Sequence, residues 1–277
     1  MKREVMLVHE SAWMPTGLDP EVPSAARVYD YFLGGYHNLA VDREFAHRAQ
    51  ETMPDLPVIL RTSRRFLRRA VHFLLDEGIT QFLDLGSGIP TAGNVHEIAQ
   101  AVAPHARVAY VDRDSVAIAH SALMLEKNAN AVALRADLRR PRDVLHSDVV
   151  TDLLDLSQPV AVLMSAVLHF VESDAEAQSI VAGYRNAIAP GSFVVISQGT
   201  QETAGEQGEQ VIRLYDETDS PFTARNRDQF TQLFKGLDLV DPGVVYVPQW
   251  RPESPDDVDE HPERSCAYGA IGRKPLY

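Results

Sequence analysis

The pattern of apolar and polar positions changes near residue 78 of the 277-residue chain. Before that point apolar residues recur at helical spacing, and the pattern predicts helices over 24–33, 41–53 and 58–75. After it, short apolar runs alternate with amphipathic stretches, which is typical of strands separated by helices. The pattern therefore predicts a helical N-terminal part followed by an α/β part.

The second part of the chain has the alternating pattern of repeated βαβ units. Strand-like runs occur over 81–85, 108–111, 131–134, 160–164 and 193–197. Asn94, Asp114 and Ser173 precede the helices between them and are residue types that cap free backbone N–H groups. This alternation predicts a mostly parallel sheet with helices on both faces.

The end of the chain departs from this alternating pattern of strands and helices. Two β-like runs, over 237–247 and 266–272, are joined by a loop rather than by a crossover helix, so we expect an antiparallel strand at that edge. We expect residues 1–78 to form an N-terminal helical cover that is not an independent domain, and residues 79–277 to form a Rossmann-like domain.

Composition argues against several classes of partner. The formal net charge of −13 opposes phosphate contacts with nucleic acid or with an anionic membrane. The one cysteine, Cys266, excludes an intramolecular disulfide, and no apolar run reaches the length of a membrane span. No cysteine or histidine cluster has the spacing of metal ligands. We therefore expect a cytoplasmic protein without a metal, a nucleic-acid partner or a membrane partner.

Glycines and polar residues concentrate where the predicted strands end, which is where ligands bind in open α/β sheets. The set comprises Asp84, Gly86, Ser87 and Gly88 after the first strand, Asp112 and Arg113 after the second, Asp137 and Leu138 after the third, and Ser165 and His169 after the fourth. We take all of these except His169 as candidate cofactor-binding residues.

Within this set, two acids and two glycines fit a nucleoside. Gly86 and Gly88 allow a sharp turn and a close approach of the backbone to a ligand. Asp112 follows Gly88 by 24 residues, close to the spacing of about 20 for an acid that accepts ribose hydroxyls. Asp137 is placed to accept from an adenine amino group. The structural alternative is that such acids cap the next helix, a role that suits Asp114.

The loop GSGIPT after the first strand distinguishes between two kinds of nucleoside ligand, a dinucleotide and S-adenosylmethionine. A dinucleotide fingerprint needs a third glycine and a helix N-terminus beside the pyrophosphate. Here Thr91 stands at the third glycine position, Pro90 removes a backbone donor, and the next helix starts only near Asn94. The loop is therefore poorly built for phosphates and better suited to S-adenosylmethionine.

Several long segments also resemble a known family. Five segments are similar to the S-adenosyl methyltransferase family, long described as a domain of unknown function. These segments are RVYDYFLGGYHN, FLRRAVHFL, QFLDLGSGIPTAGNVHEIAQ, RVAYVDRDSVAIAHS and PVAVLMSAVLHFV. The resemblance extends over nearly the whole chain from about Pro23. It implies a Rossmann-like class I methyltransferase fold with S-adenosyl-L-methionine as cofactor.

The resemblance also carries roles onto matching residues. Asp84, Gly86 and Gly88 match the cofactor loop of the family, Asp112 its ribose-binding acid and Asp137 its adenine-side acid. Arg27, Gly34, Gly35 and Asn38 match an N-terminal block that is expected to fold over the methionyl end of the cofactor. Two positions depart from the family pattern, namely Ser63 in place of Asn and Gln198 in place of His.

These observations predict an S-adenosylmethionine-dependent methyltransferase that acts on a small-molecule acceptor by in-line transfer, with residues 199–226 contributing to acceptor choice. His169 is the best-placed candidate for a general base, and a packing role is an open alternative for it. The candidate substrate-lining residues are Tyr31, Tyr36, Arg64 and Gln198.

Two other functions stay open from the sequence. The first is a non-catalytic sensor that binds S-adenosylmethionine or S-adenosylhomocysteine. The second is an NAD(P)- or flavin-dependent oxidoreductase, against which Pro90 and Thr91 argue. The sequence leaves the acceptor, the accepting atom and the oligomeric state open.

Overall fold

The computed structural model describes residues 19–90, 93–254, 258 and 260–276. Thr91 lies outside the described residues. The helices are α1 (Ala25–Phe32), α2 (Ala40–Thr52), α3 (Leu56–Asp76), α4 (Val95–Val102), α5 (Ser115–Leu125), α6 (Pro141–Leu145), α7 (Asp148–Thr151), α8 (Asp174–Ala187), α9 (Gly205–Leu214) and α10 (Arg227–Gln232). The strands are β1 (Gln81–Leu85), β2 (Arg107–Asp112), β3 (Ala131–Arg135), β4 (Ala161–Ser165), β5 (Phe193–Gly199), β6 (Asp238–Leu239), β7 (Val245–Tyr246) and β8 (Ala267–Arg273).

All these strands join one sheet, in the order β3-β2-β1-β4-β5-β8-β6, with β7 also paired to β8. Strands β1 to β5 pair in parallel, whereas β8 runs antiparallel to β5, β6 and β7. The predicted fold class is thereby confirmed. The strand order reverses between β1 and β4, which is the switch point where ligands bind in such sheets.

Helices cover both faces of the sheet, so the central strands are buried on both sides. Phe82 and Leu163 point to the face that α3 covers, while Leu83 and Val162 point to the face that α8 covers. This alternation follows from the two-residue period of a strand. Helix α3, which we expected in the N-terminal cover, thus packs directly on the sheet.

A separate small core holds α1, α2 and α9 together, and we call these three helices the cap. Val28 from α1, Phe45 from α2 and Val211 from α9 are buried in it. Helix α9 was not predicted, because its sequence GEQGEQVIRL is rich in glycine and polar residues. Packing of Val211 against the N-terminal helices supplies the apolar contact that the local sequence lacks.

The long C-terminal run predicted over 237–247 forms two short strands instead of one. Pro242 has no N–H to donate to a ladder, and Gly243 has a φ of 80° that is outside the strand region. The chain therefore turns between β6 and β7. None of the described helices is both long enough and apolar enough to cross a membrane.

Candidate active site

A cavity of about 220 Å³ lies where the carboxyl ends of β1, β2, β4 and β5 meet the cap. Most of the residues predicted from the strand ends contribute to its wall. The predicted residues in the wall are Asp84, Gly86, Ser87, Gly88, Asp112, Arg113, Asp137, Leu138, Ser165, His169, Arg64 and Gln198. The topology thus gathers these residues from six separate segments of the chain.

The loop after β1 is shaped by its two glycines. Gly86 and Gly88 have φ values of 67° and 66°, a left-handed conformation that favours glycine. A Cβ on Gly86 would lie 2.2 Å from the Val167 side chain, whereas a Cβ on Gly88 would meet no atom of the described residues within 4 Å. Between them the buried Ser87 hydroxyl has no hydrogen-bond partner among the described residues. Both glycines are therefore required by the turn of the backbone, and Gly86 is also required by close packing against Val167.

Asp112 is held at the cavity edge by backbone donors. The N–H of Gly88 donates to its Oδ2 at 2.7 Å, and the N–H of Asp114 donates to its Oδ1 at 2.8 Å. Burial raises the pKa of Asp112 to about 6, although these two backbone hydrogen bonds and nearby Arg113 lower it and the Asp114 carboxylate adds to the rise. Each carboxylate oxygen keeps a further lone pair for a ligand.

Asp84 is the second buried acid of the cavity. Burial raises the pKa of Asp84 to about 7, the Arg64 guanidinium opposes this shift, and the Asp112 carboxylate adds to it. Arg64 reaches the site from α3 and also donates to the carbonyl of Gly93 at 3.1 Å. A buried acid with a raised pKa favours a cationic ligand, because a positive charge nearby stabilises its ionised form.

Asp137 lies further along the wall, after β3. Its carboxylate accepts from the Arg139 side chain, with an Nη2–Oδ2 distance of 2.6 Å, and from the Arg139 backbone N–H at 2.9 Å. Partial burial raises the pKa of Asp137, but these hydrogen bonds outweigh burial and hold the pKa below its ordinary value. Asp137 is therefore an ionised acceptor at neutral pH.

His169 lies in the wall on a short 3₁₀ helix after β4. The Gly199 N–H makes a long hydrogen bond of 3.4 Å to its Nδ1, which places the ring proton on Nε2. Burial, with the Arg225 guanidinium nearby, lowers the pKa of His169 to about 3. A neutral imidazole with so little affinity for a proton is poorly suited to act as a general base at neutral pH.

The four residues that match the N-terminal block, Arg27, Gly34, Gly35 and Asn38, lie outside the cavity wall. Arg27 donates to Asp42 of α2 at 2.6 Å, and Asn38 donates to Asp30 at 2.9 Å. Gly34 and Gly35 form the turn between α1 and α2. These contacts hold α1 against α2, so the structure gives this block a supporting role, and its contact with a cofactor stays a prediction.

The predicted tyrosines also lie away from the wall. Tyr31 bonds to His47 Nε2 at 2.7 Å, and Tyr36 is 92% exposed. Tyr29 lines the cavity instead, because it shares a helical face with Ala25 and Ala26, which also line it.

Sequence reasoning selected the stretch 199–226 but none of its individual residues. The structure brings Tyr215 and Phe222 of this stretch into the wall and buries Arg225 behind it. Aromatic residues in an otherwise polar stretch were a usable signal for the first two. Nothing in the local sequence distinguishes Arg225 from a surface arginine. Within the described part of the chain, no group of three or more His, Cys, Asp or Glu side chains is arranged to hold a metal ion.

Comparison with known proteins identifies the family of the chain. The profile of the S-adenosyl methyltransferase family matches residues 11–275. The chain belongs to this family. Among curated proteins, none matches the chain.

Solved structures agree with this assignment. The methyltransferase is 38% identical to a protein from Thermobifida fusca that is proposed to be a methyltransferase, over 96% of this chain and 100% of that chain, with a TM-score of 0.88. It is also 38% identical to a DUF574 family protein from Streptomyces avermitilis, over 93% and 99% of the two chains, again with a TM-score of 0.88.

A more distant likeness concerns the fold alone. Human N-acetylserotonin methyltransferase, solved in complex with S-adenosylmethionine, is 14% identical over 89% of this chain and 62% of that chain, with a TM-score of 0.50. Family and fold together make the chain a methyltransferase of the S-adenosylmethionine-dependent kind.

Proposed function

We propose that this methyltransferase binds S-adenosyl-L-methionine in the cavity and methylates a small-molecule acceptor there. The observation that carries the proposal is the Asp112 carboxylate, which two backbone N–H groups hold at the cavity edge beside the open turn at Gly88. When bound, the cofactor supplies a methyl group on a sulfonium, which is already activated for in-line displacement by the acceptor.

The residues of the cavity fit the parts of that cofactor. Asp112 would accept from the ribose hydroxyls, and Asp137, which also lines the cavity, would accept from the adenine amino group. Asp84 and Arg64 would hold the ammonium and carboxylate of the methionyl end, because one is a buried acid and the other a cation beside it.

The cap explains why we propose a small acceptor. Cap residues such as Tyr29 and Val211 line the cavity, so a bound molecule would lie between the cap and the strand ends. With His169 neutral, no side chain of the wall is assigned as a base, and the contribution of the chain is alignment and exclusion of water.

Calorimetric titration with S-adenosylhomocysteine and with NADH, against buffer alone, tests the cofactor. We expect S-adenosylhomocysteine to bind and NADH to give no heat beyond dilution. Binding of NADH without binding of S-adenosylhomocysteine would overturn the proposal in favour of an oxidoreductase. A methyl-transfer assay against metabolite pools then separates an enzyme from a non-catalytic sensor, since only the enzyme yields methylated product.

A further inference from the structure

The charged side chains of the described cavity wall lie together, and we call this part of the wall the charged half. Six of them lie at or just after the ends of β1, β2 and β3, namely Asp84, Asp112, Arg113, Asp114, Asp137 and Arg139. The two that come from other segments join them, because Arg64 interacts with Asp84 and Asp219 lies 3.7 Å from Arg113. The groups proposed to hold the cofactor therefore all belong to the charged half.

A second group of wall residues, which we call the uncharged half, comes from the ends of β4 and β5, from α9 with Tyr215 and Phe222 after it, and from the start of β8. None of its described residues is an Asp, Glu, Lys or Arg. Burial, with the Arg225 guanidinium nearby, lowers the pKa of His169 to about 3, so this ring is also neutral. Arg225 itself lies behind the wall, is only 1% exposed and is paired with Asp174 at 2.8 Å. A charged group of a ligand would therefore be buried here without an ion-pair partner, which is costly.

Aromatic rings supply much of the apolar surface of the uncharged half. Phe170, Tyr215 and Phe222 line the cavity, are only partly buried, and have ring centroids 5.6 to 6.1 Å apart. His169 stacks on Phe222 with a centroid distance of 4.3 Å. Phe222 also presses on the end of β5, since a Cβ on Gly199 would lie 2.7 Å from its Cζ. These rings thus form one cluster beside the strand ends, and a further aromatic ring would pack favourably against it.

We propose that the uncharged half is the acceptor subsite and that it takes an uncharged aromatic molecule, which packs against Phe170, Tyr215 and Phe222. The inference rests on the proposed function and gives its acceptor a chemical class. Discrimination follows from what each half offers, because the charged half matches the charges of the cofactor, whereas the uncharged half leaves a charged acceptor without a partner.

Three probes of similar shape test the effect of charge, namely benzyl alcohol, the anion benzoate and the cation benzylammonium. Saturation-transfer NMR titrations of the protein saturated with S-adenosylhomocysteine give the Kd of each probe, and the bound nucleoside keeps the probes out of the charged half. We expect benzyl alcohol to bind at least about tenfold more tightly than either charged probe. A charged probe that binds as tightly as benzyl alcohol, or failure of benzyl alcohol to bind, would overturn the inference.

The affinity ratio of benzyl alcohol to cyclohexylmethanol tests the aromatic contacts, since the two probes differ in the aromaticity of the ring. Phe222→Leu keeps an apolar side chain and removes a ring of the cluster, so we expect this ratio to fall about threefold, within the range of one aromatic pair. Phe170→Leu serves as a second variant should Phe222→Leu not fold.

Tyr36→Leu is the matched control, because it removes a ring that is 92% exposed and lies outside the cavity wall. It should leave the ratio unchanged. An unchanged ratio in the folded wall variants, or an equal fall in Tyr36→Leu, would contradict the assigned subsite. Failure of S-adenosylhomocysteine to bind would instead overturn the proposed function, so the two failures are distinguishable.

Discussion

Single residues at the end of β2 carry the cofactor prediction. Asp112 is buried and held by two backbone N–H groups, so its remaining lone pairs are fixed in direction before any ligand arrives. Such preorganisation reduces the entropy that is lost on binding. The same burial raises the pKa of Asp112 to about 6, which is still low enough for the carboxylate to be charged at neutral pH.

Replacement of Asp112 by alanine tests this role. We expect Asp112→Ala to weaken binding of S-adenosylhomocysteine at least about tenfold, because charge-assisted hydrogen bonds to the ribose are lost. Isothermal titration calorimetry measures the change, and Asp143→Ala, which removes an exposed acid outside the cavity, is the charge-matched control. An affinity that Asp112→Ala leaves intact would mean that the ribose lies elsewhere.

Asp84 gives the ligand-free protein a stability that depends on pH. Burial, opposed by Arg64 and aided by Asp112, raises the pKa of Asp84 from 3.8 to about 7. The folded state therefore binds a proton more tightly than the unfolded state does. Ionised Asp84 destabilises the fold above about pH 7, and this cost disappears as the pH falls from 7 towards 4.

We therefore expect Asp84→Asn to stabilise the ligand-free protein at pH 8 by a few kcal/mol, since each pKa unit corresponds to about 1.4 kcal/mol. The advantage over wild type should shrink as the pH falls to 5. Thermal melts of both proteins across this range measure the difference. A difference that is independent of pH would show that Asp84 is not buried as a charge.

At the scale of elements, the corner between α1 and α2 shows how the cap is built. The buried Asp30 accepts from the backbone N–H of His37 and from the Asn38 amide, both at 2.9 Å. Gly35 approaches so closely that an added Cβ would lie 2.0 Å from the Asp30 carboxylate. A Cβ added to Gly34, which has a φ of 82°, would have no atom of the described residues within 4 Å. The two adjacent glycines are thus needed for different physical reasons.

This difference predicts unequal effects of two alanine substitutions. Gly35→Ala should lower the free energy of unfolding by about 2–3 kcal/mol, because the carboxylate must move and lose its hydrogen bonds. Gly34→Ala should cost only about 1–2 kcal/mol, the strain of a left-handed alanine. Urea unfolding of the two variants measures both values. Equal losses would contradict the role assigned to Asp30.

At the scale of the whole molecule, the cavity lies between two bodies that have separate cores. The cap has its own apolar cluster, while the sheet is sandwiched between the two larger clusters. Arg113 ties the end of β2 to the segment after α9 by donating to the Asp219 carbonyl at 2.7 Å and to the Ser220 hydroxyl at 2.6 Å. A ligand in the cavity would contact both bodies and hold them together.

Binding of S-adenosylhomocysteine should therefore slow amide hydrogen exchange in the cap, in α1 and α9 and in the segment after α9, because ligand contacts oppose local opening. Helix α8, which contributes nothing to the cavity wall, is the internal control and should change little. Exchange followed by mass spectrometry measures this. Equal protection of α8 and α9 would indicate global stabilisation without closure of the cap.

The sheet could be predicted from the sequence because the sequence signals for its strands and helix caps are local. The predicted bounds of β1 are those observed, and the predicted caps at Asp114 and Ser173 accept from backbone N–H groups of their helices. The glycines and acids at the strand ends were identified for the same reason, since each follows an apolar run. Helix α9 escaped prediction because its stability depends on contacts with α2.

Local patterns in the chain were therefore enough to predict the α/β fold and the strand ends that form the cavity, and they favour an adenosyl-type loop over a dinucleotide loop. They did not show which tyrosines line the cavity, that His169 is held neutral, or that the Gln198 amide nitrogen has no hydrogen-bond partner among the described residues. These properties arise from burial and from partners such as Arg225, which is distant in sequence from both side chains. Desolvation and orientation depend on how remote segments meet, so they emerge only once the chain is folded.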